Sequence, residues 1–232
     1  MSRTYALLVA LSTALASLFA PQHESTGRGP KALVYCPASD VSGCTAVVNA
    51  LAGAFPGGVD RGYDGGNGTV DLAKVDLMQY SVLVVPSLAD RDAAKPYALL
   101  RDPVVAGRLK ETFIGRVAFW SGTPDLGQAN RAEKDALIRN LAAWATSNRA
   151  MLFRRGMVVL QDLSEDVARR YDWVPAIARV SVTADAAVRV YGSVSTPTDV
   201  GKAILDDGGT PLHFENMAAF GLRVATGTTA SL

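Results

Sequence analysis

The side chains of this 232-residue chain best suited to chemistry are two cysteines, two histidines and a scatter of serines and aspartates. Cys36 and Cys44 stand eight positions apart. That spacing allows a disulfide closing a short loop, two free buried thiols, or one reactive thiol. Cys44 would be the reactive one, because it falls near a helix N-terminus, where a thiolate is favoured. His23 and His213 are far apart, and no His/Cys/Asp spacing matches a metal site, so neither a metal nor a cofactor is expected. Residues 57–68 hold six glycines but lack the Lys-Ser/Thr ending of a phosphate-binding loop. They also fail as a calcium loop, since Gly66 and Gly68 stand where carboxylates belong and no Glu follows at the twelfth position. A turn-rich loop is the expectation there.

Short apolar runs alternate with helical stretches from Lys31 onward. Strands are predicted over 32–36, 59–63, 81–85, 116–120 and 157–160. Helices are predicted over 45–54 and 131–146, with one or two more in 97–112, broken near Asp102-Pro103. A short helix or turn is expected over 71–80. This rhythm implies βαβ units and a doubly wound, flavodoxin-like α/β fold with a mostly parallel sheet for residues 31–165. Beyond that the pattern weakens into a small C-terminal β-rich extension. It comprises two strands or a hairpin within 180–191, a small helix over 197–205 and a last strand over 220–224. Residues 225–232 are small and polar, as in a linker.

Open α/β sheets bind ligands beyond the carboxyl ends of their strands. The loops there would bring Ser39, Asp40, Ser87, Asp90, Trp120, Asp125 and Asp162 to one polar rim. The alternative is that the serines and aspartates cap the helices that follow. Of the three tryptophans, Trp144 lies on the apolar face of the 131–146 helix with Ala136, Leu137, Asn140 and Leu141 and is expected in the core. Trp173, in the polar segment Arg169-Arg-Tyr-Asp-Trp-Val-Pro175, is expected near the surface, as a candidate for stacking on carbohydrate.

Residues 1–20 combine Arg3, an uncharged apolar stretch and Ala14-Leu15-Ala16, the pattern of a cleaved export signal. Cleavage is expected after Ala16, or as late as Ala20, followed by a polar lead-in over 17–30. The apolar run is shorter than the ~20 residues that span a bilayer, so no stable membrane span is expected after cleavage. An uncleaved anchor is the other reading. The whole chain carries 23 basic and 22 acidic residues. Losing Arg3 brings the balance to zero, which gives no electrostatic reason to expect nucleic acid as a partner. Secretion, the periplasm or the cell surface is the expected location.

The succession of first strand, Gly-turn, Tyr80-Ser-Val-Leu-Val-Val-Pro86, helix and Gly115-Arg-Val-Ala-Phe-Trp-Ser-Gly122 resembles the class I glutamine amidotransferase-like superfamily, including its ThuA-like and non-catalytic extracellular branches. Thr196-Pro-Thr-Asp-Val-Gly-Lys-Ala-Ile-Leu205 is similar to a late Pro-x-x-x-Gly segment of that group. The resemblance implies one domain over 31–224. Amidotransferases carry a Gly-x-Cys-x-Gly elbow, whereas this chain reads Phe119-Trp-Ser-Gly-Thr123, with Ser121 in place of Cys and neither flanking glycine. His213-Phe-Glu215 matches the His-x-Glu spacing of the base and its orienting acid. The resemblance therefore implies a possible hydrolytic triad of Ser121, His213 and Glu215, against a purely structural His–acid pair. Two functions follow as expectations. One is a non-catalytic binding or scaffolding module, as the N-terminal part of a longer bacterial surface protein, with a small molecule, carbohydrate or surface protein as partner. The other is an exported serine hydrolase.

Overall fold

The computed structural model describes residues 29–37, 42–87, 97–120, 123–146, 155–161, 171–179, 181–191, 204, 206–207, 210–211 and 218–225. In chain order the elements are β1 (Lys31–Tyr35), α1 (Ser42–Leu51), β2 (Val59–Tyr63), β3 (Val70–Asp71), β4 (Tyr80–Val85), α2 (Pro103–Thr112), β5 (Val117–Trp120), α3 (Arg131–Thr146) and β6 (Gly156–Leu160). A short helix α4 (Val174–Ile177) and strands β7 (Ser181–Tyr191), β8 (Asp206–Asp207), β9 (Thr210–Pro211) and β10 (Ala218–Ala225) follow. Single 3-10 turns stand at Leu77–Gln79 and Ala98–Arg101.

Six strands pair in parallel in the order β3-β2-β1-β4-β6-β5. The fold is thus the doubly wound, flavodoxin-like α/β architecture. Side chains alternate across each strand, and the central strands bury both sets. Leu33 and Tyr35, Leu83 and Val85, and Met157 and Val159 face one layer with α2, α4 and the 3-10 turns. Val34 and Cys36, Val82 and Val84, and Val158 and Leu160 face the other, with α1 and α3. Continuous apolar runs are what strands buried on both faces require.

The layer each helix joins follows from the chain's direction. The moves β1→β2 and β5→β6 run one way along the sheet order, and their helices α1 and α3 share a layer. The move β4→β5 runs the other way, and α2 lies on the opposite layer. The crossovers therefore share one hand, as βαβ units do. Asp102 caps α2 by accepting hydrogen bonds from the Val104 and Val105 amides at 2.9 and 3.0 Å, with Pro103 at the first helical position. This is why the 97–112 stretch breaks there.

Three expectations need correction. The 180–191 stretch is one strand, β7, whose antiparallel partner is the distant β10, with Val182 opposite Val224. Trp144 is half-buried rather than central: it lies near the end of α3, where the Arg116 guanidinium stacks 5.0 Å from its ring centroid and donates to its carbonyl. The two-residue β3 has no counterpart among the predicted strands. Of the 197–205 helix, only helical Ile204 falls within the described residues; its carbonyl accepts from Asn140 Nδ2 at 2.9 Å.

Glycine tests the packing of α3 on β6. A Cβ at Gly156 would meet the Ala145 carbonyl oxygen at 2.3 Å, backbone that cannot swing aside. Gly156→Ala is expected to cost about 1–3 kcal/mol as overpacking. Gly107 in α2 has open space where its Cβ would stand. Gly107→Ala is expected to gain about 0.5–1 kcal/mol from helix propensity. Urea unfolding of both variants measures the two effects.

Candidate functional site at the carboxyl end of the sheet

The chain reverses between β1 and β4, so the crevice expected of this fold lies past their carboxyl ends. Pro86 ends β4, and Ser87 follows in a turn. After β5, Thr123 leads into the turn that carries Asp125 to the start of α3. Ser87 and Asp125 meet across 38 positions of sequence. The Ser87 amide donates to Asp125 Oδ2 at 2.9 Å, and Ser87 Oγ donates to Asp125 Oδ1 at 2.6 Å. Both residues are expected rim groups, and both prove fully buried. They turn inward to each other because a buried carboxylate needs donors, and the second residue after β4 offers two.

Burial raises the pKa of Asp125 above the usual aspartate range. The two hydrogen bonds from Ser87 and the positive charge of Arg131 pull against it. Arg131 donates to the Pro124 carbonyl at 2.8 Å and pairs with Asp135. Lys134 donates to the Leu126 carbonyl at 2.8 Å, and burial lowers its pKa. The first turn of α3 thus ties the Asp125 turn down from two cationic side chains.

On the α2 layer, aromatic rings fill the space under these turns. Tyr97 lies 6.2 Å from Tyr35, 5.8 Å from Tyr171 and 4.8 Å from Trp173, centroid to centroid. The Tyr97 and Tyr171 hydroxyls both donate to the Ser87 carbonyl, at 3.1 and 3.2 Å. Ser87 is consequently held through its amide, hydroxyl and carbonyl. Trp173 is only 1% exposed, which corrects its expected place near the surface. Tyr171 and Trp173 are two positions apart and both pack inward beside α4, so the polar residues around them in sequence conceal a buried pair.

Backbone strain gathers at this end. Tyr97 (φ 57°) and Thr123 (φ 51°) both occupy the left-handed region, which bulky and β-branched residues rarely adopt. Such residues persist where surrounding contacts over-determine them. Trp120 is half-buried against the α1–α3 layer, and its indole N–H is buried with no partner among the described residues. The Trp173 indole N–H is likewise buried without a partner among them.

Cys36 and Cys44 form a disulfide with Cα atoms 5.4 Å apart, linking the end of β1 to the first turn of α1. This removes the free-thiol and reactive-thiol readings. Ser39, Asp40, Asp90, Ser121, Asp162, His213 and Glu215 lie outside the described residues, and of the expected rim only Ser87, Trp120 and Asp125 are placed. Tyr35, Tyr97 and Tyr171 were missed by sequence reasoning. They come from a strand end, a 3-10 turn and an approach to α4, and no local spacing joins them. Among the described residues no cluster of three or more His, Cys, Asp or Glu could hold a metal, and no helix is long and apolar enough to cross a membrane.

The site belongs to a doubly wound α/β protein with a disulfide on one side of its switch point and buried tyrosines on the other. The chain matches no family model, no curated protein and no solved structure.

The buried pair makes a pH-dependent prediction. A carboxyl whose folded pKa is raised stabilises the fold most below its unfolded value near 3.9, and that contribution is lost as pH rises through the folded pKa. Asp125→Asn can accept from the Ser87 amide and donate to Ser87 Oγ without charge. The stability difference between wild type and Asp125→Asn is therefore expected to move in favour of the variant from pH 4 upward. Asp125→Ala leaves the Ser87 amide buried without its acceptor and is expected to cost about 1–3 kcal/mol. Chemical denaturation at several pH values measures both.

Proposed function

We propose that this chain is the amidotransferase-like α/β module of an exported or cell-surface protein, non-catalytic and working in binding or scaffolding. One observation carries the reading: the hydroxyl and carboxylate placed at the carboxyl end of the sheet, Ser87 and Asp125, are spent on the protein itself. Asp125 accepts from Ser87 with both oxygens, and Ser87 is held by three partners. A catalytic carboxylate or hydroxyl has to reach a substrate, and these two do not face solvent. The Cys36–Cys44 disulfide supports an oxidising compartment. The Arg3 and Ala14-Leu15-Ala16 pattern supports export. A small molecule, carbohydrate or another surface protein is the kind of partner proposed.

A specific observation favours the second reading, an exported serine hydrolase using Ser121, His213 and Glu215. Thr123, two positions past Ser121, takes a positive φ in the connection from β5 to α3, and a strained strand-to-helix connection is the setting of a nucleophile elbow.

A fluorophosphonate probe separates the readings. Under the non-catalytic reading, the folded protein shows no labelling that depends on Ser121. Labelling that disappears in Ser121→Ala overturns it and establishes the hydrolase. Export is tested separately by mass spectrometry of the protein recovered from a secreting host. The expected mature chain begins at Ser17, or as late as Pro21; recovery of the intact N-terminus sinks the cleaved-signal reading in favour of an uncleaved anchor.

A further inference from the structure

We propose that Asn67 is a self-modification site. In the folded protein its side chain is converted to aspartate and isoaspartate through a cyclic imide with the Gly68 nitrogen, at a pace set by the hydrogen bonds of Thr69. The inference goes beyond the function proposed above and does not depend on it.

The glycine-rich segment between β2 and β3 fits neither a phosphate loop nor a calcium loop. It does hold the one Asn-Gly pair in the chain. The other five asparagines precede Ala50, Arg131, Leu141, Arg149 and Met217. Imide formation needs the backbone nitrogen after the asparagine to reach its Cγ, and a glycine there puts no Cβ in the way. The space where a Cβ on Gly68 would stand is open. Asn67 and Gly68 are both exposed. Neither the Asn67 carboxamide nor the Gly68 N–H bonds to any of the described residues. Nucleophile, leaving group and water therefore meet without obstruction.

The turn opposes the attack. Asn67 (φ 51°) and Gly68 (φ 76°) are the central residues of a type I′ turn. The Thr69 amide closes it by donating to the Gly66 carbonyl at 2.9 Å. Thr69 Oγ1 donates to that same carbonyl at 2.6 Å and accepts from the Gly65 amide at 3.1 Å. A five-membered imide needs the Gly68 nitrogen nearly eclipsed with Asn67 Cβ about the Cα–C bond. A type I′ turn holds the two far from eclipsed, so that bond has to rotate and the closure between Thr69 and Gly66 has to open. These bonds lie in an exposed loop, where opening is local and leaves the sheet intact. Thr69 is thus a brake on a reaction that the Asn-Gly pair favours.

The chemistry balances with water as the co-reactant. The Gly68 amide gives its proton to base, and its nitrogen attacks Asn67 Cγ. The Cγ–Nδ2 bond breaks, and the leaving nitrogen takes up a proton and departs as ammonia. Water then opens the imide. Cleavage between nitrogen and Cγ leaves an aspartate at position 67. Cleavage between nitrogen and the main-chain carbonyl carbon leaves an isoaspartate, whose backbone runs through Cγ. One water enters, one ammonia leaves, and nothing is oxidised. Either product places a carboxylate three residues from exposed Asp64, which already accepts from the Gly66 amide at 2.9 Å. The isoaspartate also lengthens the backbone by one carbon, which the closed turn has no room to keep.

The test uses the full chain, held folded in mildly alkaline buffer, with peptide mass spectrometry following each asparagine and telling isoaspartate from aspartate by fragmentation. Conversion of Asn67 is expected to outpace that of Asn49, Asn130 and Asn140 by about ten-fold or more, and to give both products. Asn130 is a matched control, since it shares the positive φ (52°) but precedes Arg131. Thr69→Val keeps the branched side chain without the hydroxyl and is expected to speed conversion about three- to ten-fold. Thr69→Ser, which keeps the hydroxyl, is expected to stay within about two-fold of wild type. Conversion of Asn67 no faster than that of the other three asparagines overturns the site. Conversion negligible in the folded chain, and climbing with urea in step with global unfolding, does the same. An unchanged rate in Thr69→Val overturns the brake. Should that variant fail to fold, Thr69→Ala carries the same comparison.

Discussion

Three strands with no solvent face constrain everything else in this molecule. β1, β4 and β6 bury side chains on both sides, so each needs a helical layer above and below. The strand order supplies those layers by moving in one direction along the sheet for α1 and α3 and in the other for α2. It also brings the carboxyl ends of all three strands together at one end. Whatever polar chemistry the protein has room for must stand where these apolar strands run out.

That end is where burial and polarity compete. Continuing the core upward with Tyr35, Tyr97, Tyr171 and Trp173 keeps the α2 layer apolar to its rim. Tyrosine suits the position because its ring packs while its hydroxyl can satisfy a strand-end carbonyl. Two of them converge on the Ser87 carbonyl. The Asp125 carboxylate is the more expensive guest, since a buried charge loses its hydration. Two donors from Ser87 and the nearby Arg131 offset part of that loss, and the raised pKa is the residue of the contest. Removing the pair's partner is costly in a way that replacing its charge is not.

Legibility in the sequence followed how local each cause was. The central strands were readable because a strand buried on both faces must be apolar at every position, and Ser81-Val-Leu-Val-Val85 could be little else. The break in 97–112 was readable because Asp102 and Pro103 act within one turn of themselves. The disulfide was one of three open readings, since sulfur spacing cannot report geometry. β7 was misread because its partner β10 lies far along the chain, and nothing within 181–191 announces it. The Ser87–Asp125 bond was hidden for the same reason, although both residues were singled out. Trp173 misled because Arg169, Arg170 and Asp172 colour its neighbourhood, while the inward residues Tyr171 and Trp173 follow a period of two that is too short to stand out.

The disulfide and the buried aspartate solve different problems at one edge. Asp125 joins the turns after β4 and β5 by a charge that needs burial to be strong and donors to be tolerable. Cys36 and Cys44 join β1 to α1 by a covalent bond that needs neither donors nor charge. The covalent link joins a strand to its own following helix, whereas the turn after β5 hands a side chain directly to the end of the strand next door but one. Among the described residues the buried non-aromatic polar side chains, Ser87, Asp125 and Gln161, all stand at that rim. A substitution in β1 or β4 therefore acts through packing, and one at the rim through hydrogen bonding, charge or redox state. Those two kinds of effect separate cleanly because Ser87 and Cys36 mark the positions where the apolar strands end.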